Sequence, residues 1–331
     1  MGLHAGFDVG GTNARLQLFD DHRQPVADSR RRIRDLGAPE EVAGALCAQL
    51  QAALTDADAS PSQLHAIGLG LAAHLDATGR HVINSPNRHW QDVPFADLFE
   101  ERLAADLQWP ADERSVAVFN DLNAQLWGEY IDGAVQGVDD VLAVFVGTGI
   151  GGAILQGGQL MTGGGHNAGE IGHSKIVVGG RPCGCGEQGC VEAYAGGIHL
   201  ERQVIAAAHD SRDSDHDFSQ WLNDAGTDLA VPLSTADEHC RELPPIDAIW
   251  EQATDYLSII VANACTLLNP STLLLGGGVL EHCPYFVDRL LQKLPPLILQ
   301  VARDTLSITM ASHSDHSGML GAADLALHHT S

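Results

Sequence analysis

The chain has 331 residues, 44% of them hydrophobic, with 43 acidic against 18 basic side chains and a formal net charge of −25. That length suggests about two domains, each with its own core, and the negative field repels phosphate backbones, which argues against nucleic-acid binding. No apolar run approaches the roughly 18 residues that span a bilayer, and the opening MGLHAGFDVGG has neither the basic nor the apolar part of a signal peptide.

Ala5–Val9 reads as a strand, Gly10-Gly11-Thr12 as a turn, and Arg15–Phe19 as a second, alternating strand. Pro39 suits a first helical position, and Val42, Leu46, Leu50 and Leu54 recur every four residues behind it. Ala66–Leu71 is a strand, and Phe95, Leu98, Phe99 and Leu103 mark a helix entered from Pro94. Ser115–Phe119 is another strand. Val141–Val146 is a buried strand, Gly147–Gly152 a turn, and Ala153–Leu155 the start of a return strand, so the device at the N-terminus recurs. The acidic, weakly periodic stretch from Asp210 to Pro245 reads as a surface excursion. A long apolar helix then runs from about Ile246 to Leu268 and stops before Asn269-Pro270, with strands at Thr272–Leu275 and Leu306–Met310. Alternating strands and helices in two similar halves predict an α/β protein of two domains with a cleft between them.

Gly147, Gly149 and Gly152 satisfy G-x-G-x-x-G, but a dinucleotide fingerprint must open a helix, and here a strand follows. Neither lysine, Lys175 or Lys293, lies in a Walker P-loop. A glycine turn between antiparallel strands does expose backbone N–H groups to phosphate oxygens. Asp8 precedes the first turn, where a carboxylate can hold Mg²⁺ through water, and Thr12 and Thr148 add hydroxyls. With Gly276-Gly277-Gly278 after a third strand, these turns predict a nucleotide held between the domains.

His173 with Cys183, Cys185 and Cys190 supplies one imidazole and three thiolates, a closed tetrahedral set for structural zinc. Seven cysteines is an odd number, and this crowding suits a reducing compartment over a disulfide framework, so a cytoplasmic protein is expected. Cys47, Cys240, Cys265 and Cys283 have no partner spacing and read as packing residues.

The segments FDVGGTNARL, FNDLNAQLWGEY, FVGTGIGGAIL, GEIGHSKIVVGGRPCGCGEQGCVEAYAGG, LNPSTLLLGGGV and HSDHSGMLGAADLAL together resemble the ROK family of sugar kinases and regulators along nearly the whole chain. The resemblance implies a two-domain actin-like, ribonuclease H-like ATPase fold. Residues 1–119 would form a small N-terminal domain, joined by about 315–331, and 120–314 a larger domain with the zinc loop. Asp121 would be the base facing the attacking sugar hydroxyl. Asn120, Glu170, His173 and Glu192 would bind other hydroxyls, as would Asn87 in the Ser85-Pro86-Asn87 element. Asp8, Gly10, Gly11, Thr12, Asn13, Gly147, Thr148 and Gly149 would handle the phosphates of Mg·ATP, with Gly276, Gly277 and Gly278 near the adenosine.

The implied reaction is ATP-dependent phosphorylation of a hexose at its 6-hydroxyl, with D-glucose first because of the GHNAGEIGH and VEAYAGG segments. Kinases for N-acetylglucosamine, N-acetylmannosamine, fructose or mannose share the same motifs. A sugar-responsive repressor of the family would carry a helix-turn-helix module, for which the sequence before the first strand leaves no room. The family's habit implies a homodimer. Three places depart from its usual wording: Leu71-Ala72-Ala73-His74 replaces a Pro-Gly, Arg88-His89 replaces a Leu-Pro-Gly-like continuation, and Asn13 stands where many members have lysine. Since few carboxylates are assigned chemistry, the rest read as a solvated shell, and positive potential for an anionic donor must come from turn amides, Mg²⁺ and helix ends.

Overall fold

A computed structural model describes residues 2–109, 115–210, 232–312 and 314–328. In chain order, β1 (Leu3–Val9), β2 (Asn13–Asp20) and β3 (Pro25–Arg32) precede α1 (Pro39–Asp56). Then come β4 (Leu64–Leu71), β5 (His74–Leu75), β6 (Val82–Ser85), β7 (Trp90–Val93), α2 (Phe95–Leu107), β8 (Ser115–Asn120) and α3 (Asp121–Asp132). The middle holds β9 (Val141–Val146), β10 (Ile150–Gln156), β11 (Gln159–Leu160), α4 (Glu192–Ala195), α5 (Gly197–Asp210), α6 (Leu233–His239) and α7 (Pro244–Leu268). The chain closes with β12 (Thr272–Gly276), α8 (Gly278–His282), α9 (Pro284–Leu297), α10 (Gln300–Arg303), β13 (Ser307–Met310) and α11 (Ser314–His328).

Two compact units result: Met1–Asp139 with Ala153–Ala168 and Ala311–Ser331, and Asp140–Gly152 with Gly169–Met310. One five-stranded sheet has the order β3-β2-β1-β4-β8, the other β11-β10-β9-β12-β13. In the first sheet β1 pairs antiparallel with β2 and parallel with β4, and β4 pairs parallel with β8. β1 is buried almost throughout, as a strand covered on both faces must be. One of its faces sends Phe7 against Phe99 of α2, edge to face at 6.0 Å between ring centres. The other face takes the last helix, α11. An added Cβ on Gly6 or Gly68 would overlap the Met319 or Ala322 carbonyl, and one on Gly128 of α3 would overlap that of Ser317. Glycine is therefore required where α11 touches backbone. The packing of α3 on α11 keeps residues 120–139 in the first unit with β8.

Fully buried Glu129 of α3 reinforces that packing, accepting hydrogen bonds from Ala134 N, Ser312 N, Ser312 Oγ and Ser317 Oγ. Burial pushes its carboxyl up, but these donors outweigh burial and hold it below the ordinary glutamate range.

The expected elements are present, with shifted ends. The return strand begins at Ile150 and carries Gly151 and Gly152 inside it, which rules out a helix after the glycine turn. Of the expected surface excursion, residues 211–231 lie outside the described residues, but 233–239 form α6, not a loose surface segment. Its Asp237 is buried and accepts from Trp250 Nε1, Tyr285 N and Phe286 N. Paying for a buried carboxylate with three donors is how an acidic stretch enters a core.

Candidate functional site

In the first unit, β1 and β2 form the expected hairpin. Gly10 N donates to Asn13 O at 3.0 Å, and Thr12 O accepts from Ile33 N at 2.8 Å. Gly11 needs no positive φ, and an added Cβ there meets nothing within 4 Å. Local packing therefore does not demand this glycine; an uncovered turn backbone is what a closely approaching ligand requires. Asp8, one pair back along the hairpin, accepts from Arg15 Nη1 at 3.3 Å.

The parallel register brings further candidates to the same sheet edge. Val9 lies beside Leu71, and Leu71 beside Asn120, so Asp8 and the Asn120-Asp121 pair share the C-terminal edge of β1, β4 and β8. Ligands of open α/β sheets bind at that edge. Asn120 caps α3: its Oδ1 accepts from Leu122 N at 3.0 Å and Asn123 N at 3.2 Å, which leaves the Nδ2 amide to donate to a hydroxyl. Asp121 is the first helical residue, with Oδ1 accepting from Leu122 N at 3.0 Å, at a helix end that suits a carboxylate. Asn87 is exposed on a single 3₁₀ turn, Pro86–Arg88.

In the second unit, Gly147 N donates to Gly149 O at 3.0 Å and closes the second turn. The start of α5 braces this turn: Gly197 N donates to Gly147 O and Ile198 N to Thr148 O, each at 2.9 Å. The sequence reading missed this brace, whose only sequence signal was the Gly196-Gly197 pair at a helix start. Gly147 and Gly278 again have open space where a Cβ would stand. Gly277 has φ +91° and touches the Val146 backbone, which fixes the β12–α8 junction after Gly276.

The side chains of His173, Cys183, Cys185 and Cys190 converge, their ligand atoms all within 4.8 Å of one another. Cys183 Sγ lies 3.6 Å from His173 Nδ1, and Cys185 Sγ 3.7 Å from Cys190 Sγ. A tetrahedral zinc with Zn–S of about 2.3 Å and Zn–N of about 2.0–2.1 Å sets sulfur–sulfur edges near ~3.8 Å and sulfur–nitrogen edges near ~3.6 Å. The donor set therefore fits that ion in both type and spacing. Nδ1 of His173 faces the sulfurs while Nε2 faces Glu170 Oε2 at 3.8 Å. Lys175, not singled out from the sequence, donates to Cys190 Sγ at 3.0 Å and pairs with Glu187, partners that raise its pKa. Glu192 opens α4 beside the cluster: Oε2 accepts from Ile150 N at 2.9 Å, and Cys183 Sγ lies 3.4 Å from Oε1.

The described residues include no helix long and apolar enough to cross a membrane. A model of the ROK family matches residues 4–329. A glucokinase of Streptomyces coelicolor is 28% identical over 98% of both chains, and an N-acetyl-D-glucosamine kinase of Yersinia pseudotuberculosis is 28% identical over 98% of this chain and 99% of its own. Among solved structures, a ROK family glucokinase from Streptomyces griseus in complex with glucose and AMPPNP superposes with a TM-score of 0.80. It is 30% identical, and the match covers 99% of this chain and all of that one.

Proposed function

This chain belongs to the ROK family, and from that premise we propose that it is an ATP-dependent glucokinase, converting D-glucose and ATP to glucose 6-phosphate and ADP. The carrying observation is the edge of the first sheet, where the helix-capping Asn120, the N-terminal Asp121 and the uncovered Gly10–Thr12 turn meet one parallel register. The similarity to glucokinases from two Streptomyces species supports glucose as the hexose.

In this reading Asp121 accepts the proton of the 6-hydroxyl as its oxygen attacks the γ-phosphorus, and the bond from that phosphorus to the β,γ-bridging oxygen breaks to release ADP. Phosphoryl transfer asks mainly for positioning and charge neutralisation, so one carboxylate and ordered amide donors form a sufficient protein contribution. Asn87, Asn120, Glu170, His173 and Glu192 bind the remaining hydroxyls; a sugar lacking one leaves its partner unsatisfied once the bound sugar covers it, which is how such sites discriminate. Gly10, Gly11, Thr12 and Asn13 face the donor phosphates with Gly147, Thr148 and Gly149, and Gly276, Gly277 and Gly278 serve the adenosine. Asp8 holds Mg²⁺, which supplies charge neutralisation on the phosphates when bound. His173, Cys183, Cys185 and Cys190 hold a structural zinc that fixes the loop carrying Glu192. A homodimer belongs to this reading through the family resemblance alone.

An N-acetylglucosamine kinase is the second reading, favoured by the equal identity to the Yersinia enzyme. A coupled assay of ADP release over glucose, N-acetylglucosamine, N-acetylmannosamine, mannose and fructose decides between them. Highest kcat/KM on glucose supports the first reading, a preference for an acetylated sugar supports the second, and no sugar-dependent turnover contradicts both.

A further inference from the structure

A chain with so negative a charge has gathered arginines around its first glycine turn. Arg88 leaves the 3₁₀ turn at Pro86–Arg88, stacks over the Trp90 ring at 5.3 Å and donates from Nη2 to the Gly10 carbonyl at 2.6 Å. Among the described residues no carboxylate pairs with it, and burial alone pulls its pKa down, with no opposite charge to offset it. A guanidinium carries five N–H donors, and the Gly10 bond uses one of them. A half-buried cation with unspent donors is costly until an anion completes its shell.

The sheet register supplies an independent observation. Asp8 stands opposite Arg15, Arg15 opposite Arg30, and Asn13 opposite Arg32. Alternation puts these side chains on one face of the hairpin. Arg15 and Arg30 form a directly opposed like-charge pair, an arrangement that destabilises a sheet. Arg32 pairs with Asp35 at 3.6 Å, and both are exposed. Asp8 already answers Arg15 at 3.3 Å and Asp35 answers Arg32, so among the described residues Arg88 and Arg30 are the cations near this turn without a carboxylate partner, and an arriving anion would find positive charge there. The turn itself carries Asn13 and no lysine.

We propose that Arg88 binds the polyphosphate of the nucleotide at the first turn, while Arg30 and Arg32 provide the positive field that draws it there. The proposal rests on the reading of Gly10–Asn13 as a nucleotide phosphate site. Arg88 then joins the turn that carries Asn87 to the turn that meets the donor, since it belongs to one and hydrogen-bonds the other. The positive potential expected from amides, Mg²⁺ and helix ends alone comes in good part from arginine side chains.

The test compares wild type with Arg88→Met, Arg88→Lys and, as a distant control, Lys293→Met, which alters a cation paired with Glu251 and Asp255. Binding of Mg·ADP is measured by calorimetry, and KM for ATP and for glucose by coupled assay. Arg88→Met should weaken Mg·ADP and raise KM for ATP by about 10- to 100-fold, the value of charge-assisted hydrogen bonds to phosphate. Arg88→Lys should fall between, KM for glucose should move by less than about threefold, and Lys293→Met should match wild type. The double variant Arg30→Glu/Arg32→Glu should steepen the loss at low salt and lose that excess at high salt. If wild type phosphorylates a hexose but Arg88→Met, or Arg88→Lys where the first does not fold, binds Mg·ADP as wild type does, the proposal is overturned and the kinase reading stands. If wild type phosphorylates no hexose yet its Mg·ADP affinity depends on Arg88, the kinase reading fails and the phosphate site stands.

Discussion

Glu192 and Ile150 are joined by a hydrogen bond: the Ile150 N–H donates to Glu192 Oε2 at 2.9 Å. The other carboxylate oxygen lies 3.4 Å from Cys183 Sγ. One side chain thus connects the second glycine turn with the His–Cys cluster, and the four cluster residues, Glu192 and the turn act as one local assembly. Gly149 completes the fit, because a Cβ there would overlap Glu192 Oε2.

Gly149→Ala therefore pushes Glu192 away from the turn without touching Asp121. Its expected outcome is a loss of about 10- to 100-fold in kcat/KM, with sugar and ATP both affected. Zinc content should match wild type. Steady-state kinetics beside metal analysis check this, and unaltered kinetics would show that Glu192 and the turn are not coupled.

Zinc removal should act through the same carboxylate. Cys183 Sγ stands 3.4 Å from Glu192 Oε1, so a thiolate that loses its zinc and regains a proton is expected to donate to that oxygen in competition with a sugar hydroxyl. Wild type should bind one zinc per chain, and chelation or Cys185→Ser should raise KM for the sugar and lower Tm. Readdition of zinc should restore the chelated wild type. Metal analysis and differential scanning calorimetry follow the binding and the stability separately from turnover.

Glu129 makes a pH prediction. Its folded-state pKa is depressed, so its contribution to stability is present above the unfolded glutamate pKa of about 4.3 and is lost as pH falls through the lower folded value. Glu129→Gln should cost about 1.5–3 kcal/mol near neutral pH, the scale of hydrogen bonds to a charged group. The difference from wild type should shrink steadily below about pH 4. Urea unfolding at several pH values measures it, and a pH-independent difference would remove the carboxylate from the account.

Much of this molecule is legible in its sequence wherever a local pattern dictates local structure. Pro39 does begin α1, Pro94 does precede α2, and the two strand–glycine–strand hairpins are present. The clustering of Cys183, Cys185 and Cys190 with His173 follows from short spacing and glycines that let the backbone fold back, as Gly189 does at φ +79°. Strand β3 carries no alternating apolar pattern that would announce it, since Arg30, Arg31 and Arg32 close it; it is an exposed edge strand, where charge is tolerated and protective. The buried roles of Glu129 and Asp237 depend on donors far away in sequence, which no periodicity reveals. Arg88 stood out only as a departure from family wording, and its tie to Gly10 across the first unit appears only in three dimensions.

The most direct test of the central claim is glucose 6-phosphate formation from ATP and glucose, measured side by side in wild type and Asp121→Asn, with glucose affinity determined for each. The account predicts sugar-dependent turnover by wild type, a fall in kcat of about 10²- to 10⁴-fold in the variant, and glucose affinity kept within about threefold. Turnover by Asp121→Asn near the wild-type rate, or no glucose 6-phosphate from folded, zinc-loaded wild type, would contradict it.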